Sequence, residues 1–440
     1  MPKKKKKRIE PLSLLRPMVL PAELEPELRK LYQLACKNSQ PVWSKFQSNG
    51  DKPPSQDIIN EFMKLTHGGM RQAQTLILQR LLETSAPERV GEVRTYAYRG
   101  ISDAIGWQLF KNELAYVKRF FMAQRPPNLE RSNIESVIWA TEQAHQQHPD
   151  SIALLSDLTS FIQVGDIYHA KADGSIGIYE VKEGKTNRKI LDILENTPAL
   201  VNPESIPDLF DDKSESFQKQ VQRTLRQKQR MNALKETLGN DEGVDAQTGL
   251  KVKIHTLPAW VGTWFNTAVH LGEACEPKGY AIDVIQDCLF IGCYKTGKFK
   301  VPGQLAFEGW FKAEGGTDGC PRTSLINCMQ DPLGLTIYNL PLPDALKFDL
   351  LFGRKHIAMA IHMQRLLEIC NEKGMKVRFG NRKETARLKQ RNKHLWVYNG
   401  QAIIFERNGQ QMCLGEGFAL RVFYHGENPV DALRAITMTE

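Results

Sequence analysis

No Cys-x-x-Cys pair occurs among the eight cysteines of this chain, so the ligand spacing of zinc ribbons and zinc fingers is excluded. We also find no secretory signal, and we therefore expect the thiols to be reduced and to lie in the core. A structural zinc site built from four of the cysteines stays open as an alternative. These are Cys288, Cys293, Cys320 and Cys328.

Long apolar runs are also missing. No run of about 18 apolar residues appears, so we expect no transmembrane helix and no membrane partner. The N-terminus is basic, but neither an apolar signal-peptide segment nor a small-residue cleavage site follows it. We expect a cytoplasmic protein. We find no internal repeat and no low-complexity tract beyond the basic N-terminal block.

The composition indicates a globular protein with an excess of positive charge. The 440 residues are enough for two or three domains, with 41% apolar and 25% charged residues. The formal net charge of +9 favours binding to polyanions, of which nucleic acid is the commonest in cells. Charge alone does not establish such a partner, because many basic proteins bind none.

Composition and periodicity divide the chain into four parts. Residues 1–21 begin with a block of six cations, which we expect to be a disordered arm that contacts phosphates or a solvated tail. Residues 22–88 have apolar residues at helical spacing and predict a helical N-terminal region. Residues 89–239 form a second domain. Residues 251–440 predict a mixed α/β C-terminal domain without an assigned role. This domain is the candidate region for a homo-oligomer contact or for a protein partner.

Within the C-terminal domain, apolar runs predict strands at 281–294, 335–340, 395–405 and 419–424. Residues 355–372 predict a helix.

The clearest local unit is a β-hairpin in the second domain. A β-rich run at 161–169 is followed by an Asp-Gly turn at 172–175 and by a returning strand at 176–182. Helices are predicted before it at 100–123 and after it at 213–238.

This hairpin carries a set of charged residues suited to phosphodiester chemistry. Glu180 and Lys182 are two residues apart, so on a strand they project from the same face, and Asp166 on the first strand can approach Glu180. Two converging carboxylates favour a hard divalent cation, to which the carbonyl of Val181 could add a ligand. Lys182 then supplies a positive charge for the attacking water or for the phosphate. A solvated hairpin with alternating charges is the simpler alternative.

The sequence Val164-Gly165-Asp166-Ile167, followed about fourteen residues later by Glu180-Val181-Lys182, resembles the motif of the PD-(D/E)xK nuclease superfamily. Glycine stands where the family often has proline. The resemblance implies an α/β fold with a restriction endonuclease-like mixed-sheet core, and Mg2+ or Mn2+ as the cofactor.

The same resemblance implies further site residues. The family often has another acidic ligand on an earlier helix, for which Asp103 is the first candidate and Glu113 the second. It also often has a glutamine on the helix after the motif, for which Gln220 is the candidate, with Gln227 one heptad later. His169 falls at an odd offset from Asp166, and we interpret it as a structural residue or a nucleic-acid contact rather than a metal ligand.

Basic residues near the hairpin predict a track for phosphates. They are Lys185, Arg188, Lys189, Lys219, Arg223 and Arg226, and the same stripe on the long helix includes Lys228 and Arg230. Eight cations in residues 376–393, opposed by Glu384, predict a second basic face.

These patterns predict a Mg2+- or Mn2+-dependent endonuclease that hydrolyses phosphodiester bonds, in DNA rather than RNA. A prokaryotic defence or restriction-like effector is the favoured setting. Two alternatives stay open, namely a non-catalytic nucleic-acid-binding module on a nuclease-like fold and an RNA-cleaving nuclease.

Overall fold

The computed structural model describes most of the chain. The described residues are 18–47, 53–83, 88–124, 129, 133–196, 214–245, 249–254, 260–296, 300–392, 395–407 and 409–438. They form two units, one of Pro26–His255 and one that joins the residues before Pro26 to Thr256–Glu440. Both units mix helices with small sheets, so the predicted α/β class is confirmed. Most of the predicted basic arm lies outside the described residues.

The first unit contains eight described α-helices, a three-stranded sheet and a two-stranded ribbon. The helices are α1 (Glu25–Tyr32), α2 (Gln40–Gln47), α3 (Gln56–Leu82), α4 (Glu88–Leu109), α5 (Leu114–Phe120), α6 (Ile134–Gln147), α7 (Gly184–Asn196) and α8 (Glu215–Asn240). The strands are β1 (Ile152–Leu155), β2 (Ile167–Ala170), β3 (Ile176–Tyr179), β4 (Glu242–Val244) and β5 (Lys251–Lys253). A π-helix, Gln33–Lys37, follows α1, and a short 3-10 helix, Ser156–Leu158, follows β1.

The three-stranded sheet is an antiparallel meander in the order β1-β2-β3. All strand pairs of the described residues are antiparallel, so the mixed sheet expected from the family resemblance is not seen among them. The predicted Asp-Gly turn joins β2 to β3. Gly174 has a φ of 82°, which only glycine adopts freely, and Asp173 Oδ1 accepts a hydrogen bond from Ser175 N at 2.8 Å.

The N-terminal helices belong to the same unit as the hairpin, which differs from the division expected at residue 88. β1 is an edge strand, and its outer backbone groups need partners. Gln74 of α3 supplies them, because its Nε2 donates to Ala153 O at 3.0 Å and its Oε1 accepts from Leu155 N at 2.9 Å. The side chain of Gln74 is buried, and α3 therefore packs against the edge of the sheet and shields it from solvent.

The long helix predicted at 100–123 is two helices, α4 and α5. Lys111 and Asn112 adopt φ angles of 55° and 58°, and Asn112 N donates to Trp107 O at 2.8 Å. This left-handed closure ends α4. The predicted first strand, 161–169, is regular only from Ile167 onwards.

The second unit contains seven described α-helices and two four-stranded sheets. The helices are α9 (Phe265–Lys278), α10 (Lys300–Ala313), α11 (Asp344–Leu351), α12 (Met363–Glu372), α13 (Arg382–Arg391), α14 (Gly417–Tyr424) and α15 (Pro429–Met438). The strands are β6 (Tyr280–Ile285), β7 (Leu289–Lys295), β8 (Arg322–Ser324), β9 (Lys355–Ile361), β10 (Val377–Phe379), β11 (Val397–Tyr398), β12 (Gln401–Arg407) and β13 (Gln410–Cys413). The sheets run β6-β7-β9-β8 and β10-β12-β11, and β13 also pairs with β12.

Three secondary-structure predictions in this unit are wrong. The start of the predicted helix at 355–372 is β9, a central strand whose residues from His356 to Ile361 are all buried. A continuous apolar run of this kind has no periodicity that separates strand from helix. Residues 419–424 lie in α14, where Phe418 and Val422 are buried one turn apart, and residues 335–340 form a turn rather than a strand.

None of the described helices is both long enough and apolar enough to cross a membrane.

Candidate active site

Asp166 and Glu180 meet at the open end of the β2–β3 hairpin. β2 pairs with β3 from Ile167 opposite Tyr179, and one more step in that register places Asp166 opposite Glu180. Asp166 N donates to Tyr179 O at 2.7 Å, and Asp166 Oδ2 accepts from Val181 N at 2.6 Å. The aspartate is therefore fixed to the opposite strand by both its backbone and its side chain.

The backbone conformation at position 165 explains why a glycine precedes Asp166. The φ of Gly165 is 81°, whereas the proline ring holds φ near −65°, so proline cannot adopt this conformation. A Cβ at this position would also lie 2.6 Å from Ile178 Cγ2. The difference from the motif that the sequence resembles thus follows from the local backbone.

Lys182, Glu180 and Gln227 form a closed triangle of hydrogen bonds. Lys182 Nζ donates to Glu180 Oε1 and to Gln227 Oε1, and Gln227 Nε2 donates to Glu180 Oε1, each at 2.7 Å. The side chains of Lys182 and Glu180 are only 11% and 17% exposed. A residue of α8 therefore fixes both charged groups of the motif.

Negative charge accumulates beside this triangle. Burial, and then the charge of Glu180, raise the pKa of Asp166 to about 6, and Asp157 also raises the pKa. The N–H of Val181 and the charge of Lys182 oppose this effect without cancelling it. A cation placed between the carboxylates would relieve the repulsion.

The free oxygens of the pair suit a hard cation. Asp166 Oδ1 and Glu180 Oε2 accept no hydrogen bond from the described residues, and Val181 O has one long contact, from Asn133 Nδ2 at 3.5 Å. The described residues contain no group of three or more His, Cys, Asp or Glu side chains that could hold a metal. Two carboxylates and a carbonyl fit Mg2+, which retains several of its waters, better than they fit a cation that requires a full protein cage.

Asp103 does not join the pair. Its Oδ1 accepts from Ser160 N at 2.6 Å and its Oδ2 from Ser160 Oγ at 2.7 Å, so both oxygens are used in fixing the loop after β1. Burial raises the pKa of Asp103 to about 6. The second candidate, Glu113, lies directly before α5 and near Tyr116. Neither residue has a contact with Asp166 among the described residues.

The structure brings Gln227, and not Gln220, to the motif. Gln220 Nε2 donates to Asn187 Oδ1 at 2.7 Å and so links α8 to α7. Both glutamines are seven residues apart on the same face of α8, and the sequence could not decide which of them reaches the hairpin.

A basic cleft of about 240 Å³ opens beside Glu180 and Gln227. Arg223, Arg226 and Arg230 line it, and none of the three forms an ion pair with a described residue. Their spacing of three and four residues places them on one face of α8. All three belong to the basic stripe that the sequence predicts on this helix.

The other predicted phosphate contacts are more dispersed. Lys185 and Lys189 are exposed on α7, and the side chain of Arg188 on that helix lies outside the described residues. Lys219 is exposed and forms an ion pair with Glu215.

The second predicted basic face is partly neutralised. Arg378 bonds Glu384 at 2.7 Å, and Lys376 bonds Glu406 at 3.1 Å. Lys393, at its end, lies outside the described residues.

His169 is buried in the sheet, and its Nε2 lies 2.8 Å from Ser151 Oγ. This placement is that of a structural residue. Asp157 is an acidic neighbour of Asp166 that the sequence did not single out, since it lies in the 3-10 helix after β1 and matches no motif spacing.

Comparison of the chain with protein-family models, with curated proteins and with solved structures finds no match. The site combines two carboxylates with free oxygens, a lysine held beside them and an arginine-lined cleft. That set can bind a divalent cation and a phosphodiester side by side.

Proposed function

We propose that this protein is a Mg2+- or Mn2+-dependent nuclease, with a restriction endonuclease-like core, that hydrolyses phosphodiester bonds in DNA. One observation carries the proposal. Asp166 and Glu180 converge at the hairpin end with Lys182 beside them, and the cleft lined by Arg223, Arg226 and Arg230 opens at the same point.

In this proposal the carboxylates of Asp166 and Glu180 and the carbonyl of Val181 would hold the cation. When bound, such a cation supplies Lewis-acid activation of the phosphate and of a water molecule. Lys182 stabilises negative charge that develops on the phosphate. Gln227 is a positioning residue, because it holds both Lys182 and Glu180 without needing to touch the substrate.

The arginines of α8 give the substrate its direction. Guanidinium groups bind phosphate oxygens in pairs, and three of them on one helix face match a backbone that presents phosphates at regular intervals. A strand lying along α8 would therefore pass Glu180.

One observation favours a non-catalytic nucleic-acid-binding module as the second candidate. Lys182 and Glu180 already compensate each other's charge and are both largely buried. An internally compensated pair of this kind is compatible with a scaffold that binds nucleic acid without cleaving it.

Incubation of the protein with supercoiled plasmid, single-stranded DNA and RNA separates these functions. We expect cleavage of DNA with Mg2+ or Mn2+ and none with EDTA. Cleavage of RNA alone would mean that the substrate is RNA. Binding of DNA without any cleavage would favour the binding module. The cytoplasmic location and the prokaryotic defence setting stay predictions of the sequence.

A further inference from the structure

The π-helix Gln33–Lys37 is fixed by a polar side chain and by a glycine. A π-helical segment interrupts the regular α-helical hydrogen bonds, and such segments are frequent at functional sites. Here Gln108 Nε2 of α4 donates to Ala35 O at 3.2 Å and approaches Cys36 Sγ at 3.3 Å. Gly69 of α3 lets the segment lie close, because a Cβ there would be 2.3 Å from Leu34 O.

A cavity of about 330 Å³ lies beside this π-helix. Its lining includes two aromatic residues, Trp43 of α2 and Phe62 of α3, whose ring centroids are 6.0 Å apart. Trp43 is 45% exposed, although aromatic side chains of this size are normally covered. The volume lies at the lower end of the range for small-molecule sites, so it suits one planar ring system.

The polar residues of the lining leave specific groups unused. Asn38 Nδ2 donates to Leu65 O at 2.6 Å and Gln108 Nε2 to the π-helix, but the oxygens of both amides accept no hydrogen bond from the described residues. Thr66 Oγ1 donates to Ser39 Oγ at 2.7 Å, which leaves the Ser39 hydroxyl hydrogen free to donate. The lining therefore offers two amide acceptors and one donor.

We propose that this cavity binds a nucleobase. An aromatic ring with exocyclic amino, ring N–H and carbonyl groups stacks on Trp43 and uses the two amide acceptors and the Ser39 donor. Lys37, which also lines the cavity, adds positive charge for the phosphate of the same nucleotide. The base can come from a free nucleotide or from an unpaired nucleic-acid strand. The proposal does not depend on the nuclease activity, since no residue of the cavity belongs to the hairpin site.

Equilibrium dialysis of the full chain against radiolabelled AMP, GMP, CMP and UMP tests binding directly. We expect saturable binding of at least one of them, and none of ribose 5-phosphate, which lacks a base. Trp43→Ala should weaken the affinity about tenfold or more, as for other base–aromatic stacks. Trp139→Ala is the matched control, because Trp139 is 63% exposed on α6 and does not line the cavity.

Alkylation by iodoacetamide locates the ligand. Cys36 lines the cavity and is partly exposed, and Cys413 of the second unit is the equally partly exposed reference thiol. A mononucleotide should slow the modification of Cys36 and leave that of Cys413 unchanged. Protection of Cys36 by oligothymidylate but by no mononucleotide would assign the base to a strand.

Two results would overturn the proposal. The first is the absence of saturable binding of every mononucleotide in dialysis together with no effect of oligothymidylate on Cys36. The second is binding that Trp43→Ala and Trp139→Ala leave equally unchanged.

Discussion

At the scale of single residues, Lys182 is held more firmly than a surface lysine. Its ammonium group bonds both Glu180 and Gln227, and its side chain is 11% exposed. A lysine fixed in this way acts as a charge at a defined position, which is what electrostatic stabilisation of a developing phosphate charge requires. Gln227 supplies that position, because it is the residue of α8 that reaches both partners.

We therefore expect Gln227→Ala to lower cleavage on the order of tenfold or more, since hydrogen bonds to charged groups contribute about 1.5–3 kcal/mol each. Gln220→Ala on the same helix is the matched control and should retain the wild-type rate, because Gln220 bonds Asn187 instead. Initial rates of plasmid nicking measure both variants. Equal losses in the two variants would mean that α8 acts only as a structural support.

The spacing of acidic and basic residues was enough to propose the central site residues, but not their surroundings. Asp166, Glu180 and Lys182 lie on one hairpin, whose geometry is local and can be deduced from the sequence. The glutamine could not be chosen, because a shift of seven residues moves a contact by about 10 Å along a helix without changing its face. The family resemblance indicated Asp103 as a metal ligand, whereas both of its carboxylate oxygens bond Ser160.

At the scale of elements, α8 connects the hairpin with the basic cleft. Its buried face carries Phe217, Val221 and Leu225, which hold the helix in the unit, and the arginines project on another side. In the proposed function, the packing of this helix decides where the phosphates of a bound strand would lie.

Charge reversal of Arg223 and Arg226 to glutamate should weaken the binding of duplex DNA and flatten its salt dependence. The slope of log K against log salt should fall by about 0.9 for each phosphate contact that is lost. Lys235→Glu makes the same charge change per residue on α8 outside the cleft, and it should alter the slope by less than half as much as the double variant does. Fluorescence anisotropy between about 50 and 200 mM salt measures it. An unchanged slope in the double variant would exclude α8 from the phosphate track.

Elements whose residues are amphipathic were easier to predict than elements buried on all sides. The hairpin, its turn and α8 were expected from the spacing of apolar residues and from the Asp-Gly turn. β9 was mistaken for a helix because tertiary burial on both faces removes the alternation that identifies a strand. The cover of β1 by Gln74 depends on two residues far apart in sequence, so the union of the N-terminal helices with the hairpin could not be deduced.

At the scale of the whole molecule, the unit of Pro26–His255 contains buried and partly buried histidines around β1. His145 Nε2 accepts from Ala153 N at 2.9 Å, which requires an unprotonated nitrogen, and His67 Nδ1 lies 2.7 Å from Asp150 O. Burial lowers the pKa of His67, and lowers those of His145 and His169 to about 4. The folded unit therefore favours neutral histidines.

These lowered pKa values make part of the stability dependent on pH. Between pH 6.5 and about 4 the unfolded chain binds protons that the folded histidines resist, so their contribution to stability is complete above pH 6.5 and decreases as the pH falls. Asp103 and Asp166, with pKa values raised to about 6, act in the opposite direction. A variant has to be compared with the wild type to isolate the histidine effect.

When the pH is lowered from 7 to 4.5, we expect the Tm of His145→Gln to rise relative to the Tm of the wild type by on the order of 3 °C. His270→Gln, an exposed histidine of α9, is the control and should keep a constant difference. Differential scanning calorimetry measures both. A pH-independent difference for His145→Gln would show that this ring has the same pKa in the folded and the unfolded protein.

The central claim is that the hairpin end is a cation-dependent catalytic site. One paired measurement tests it most directly: Mn2+ titration and cleavage of a labelled duplex, each with Glu180→Ala, Lys182→Ala and the exposed control Glu183→Ala. Glu180→Ala removes a proposed ligand and should lose both Mn2+ affinity and cleavage. Lys182→Ala should keep Mn2+ binding and lose cleavage by about 100-fold or more. Glu183→Ala should behave as wild type. Cleavage by Lys182→Ala at the wild-type rate would contradict the account.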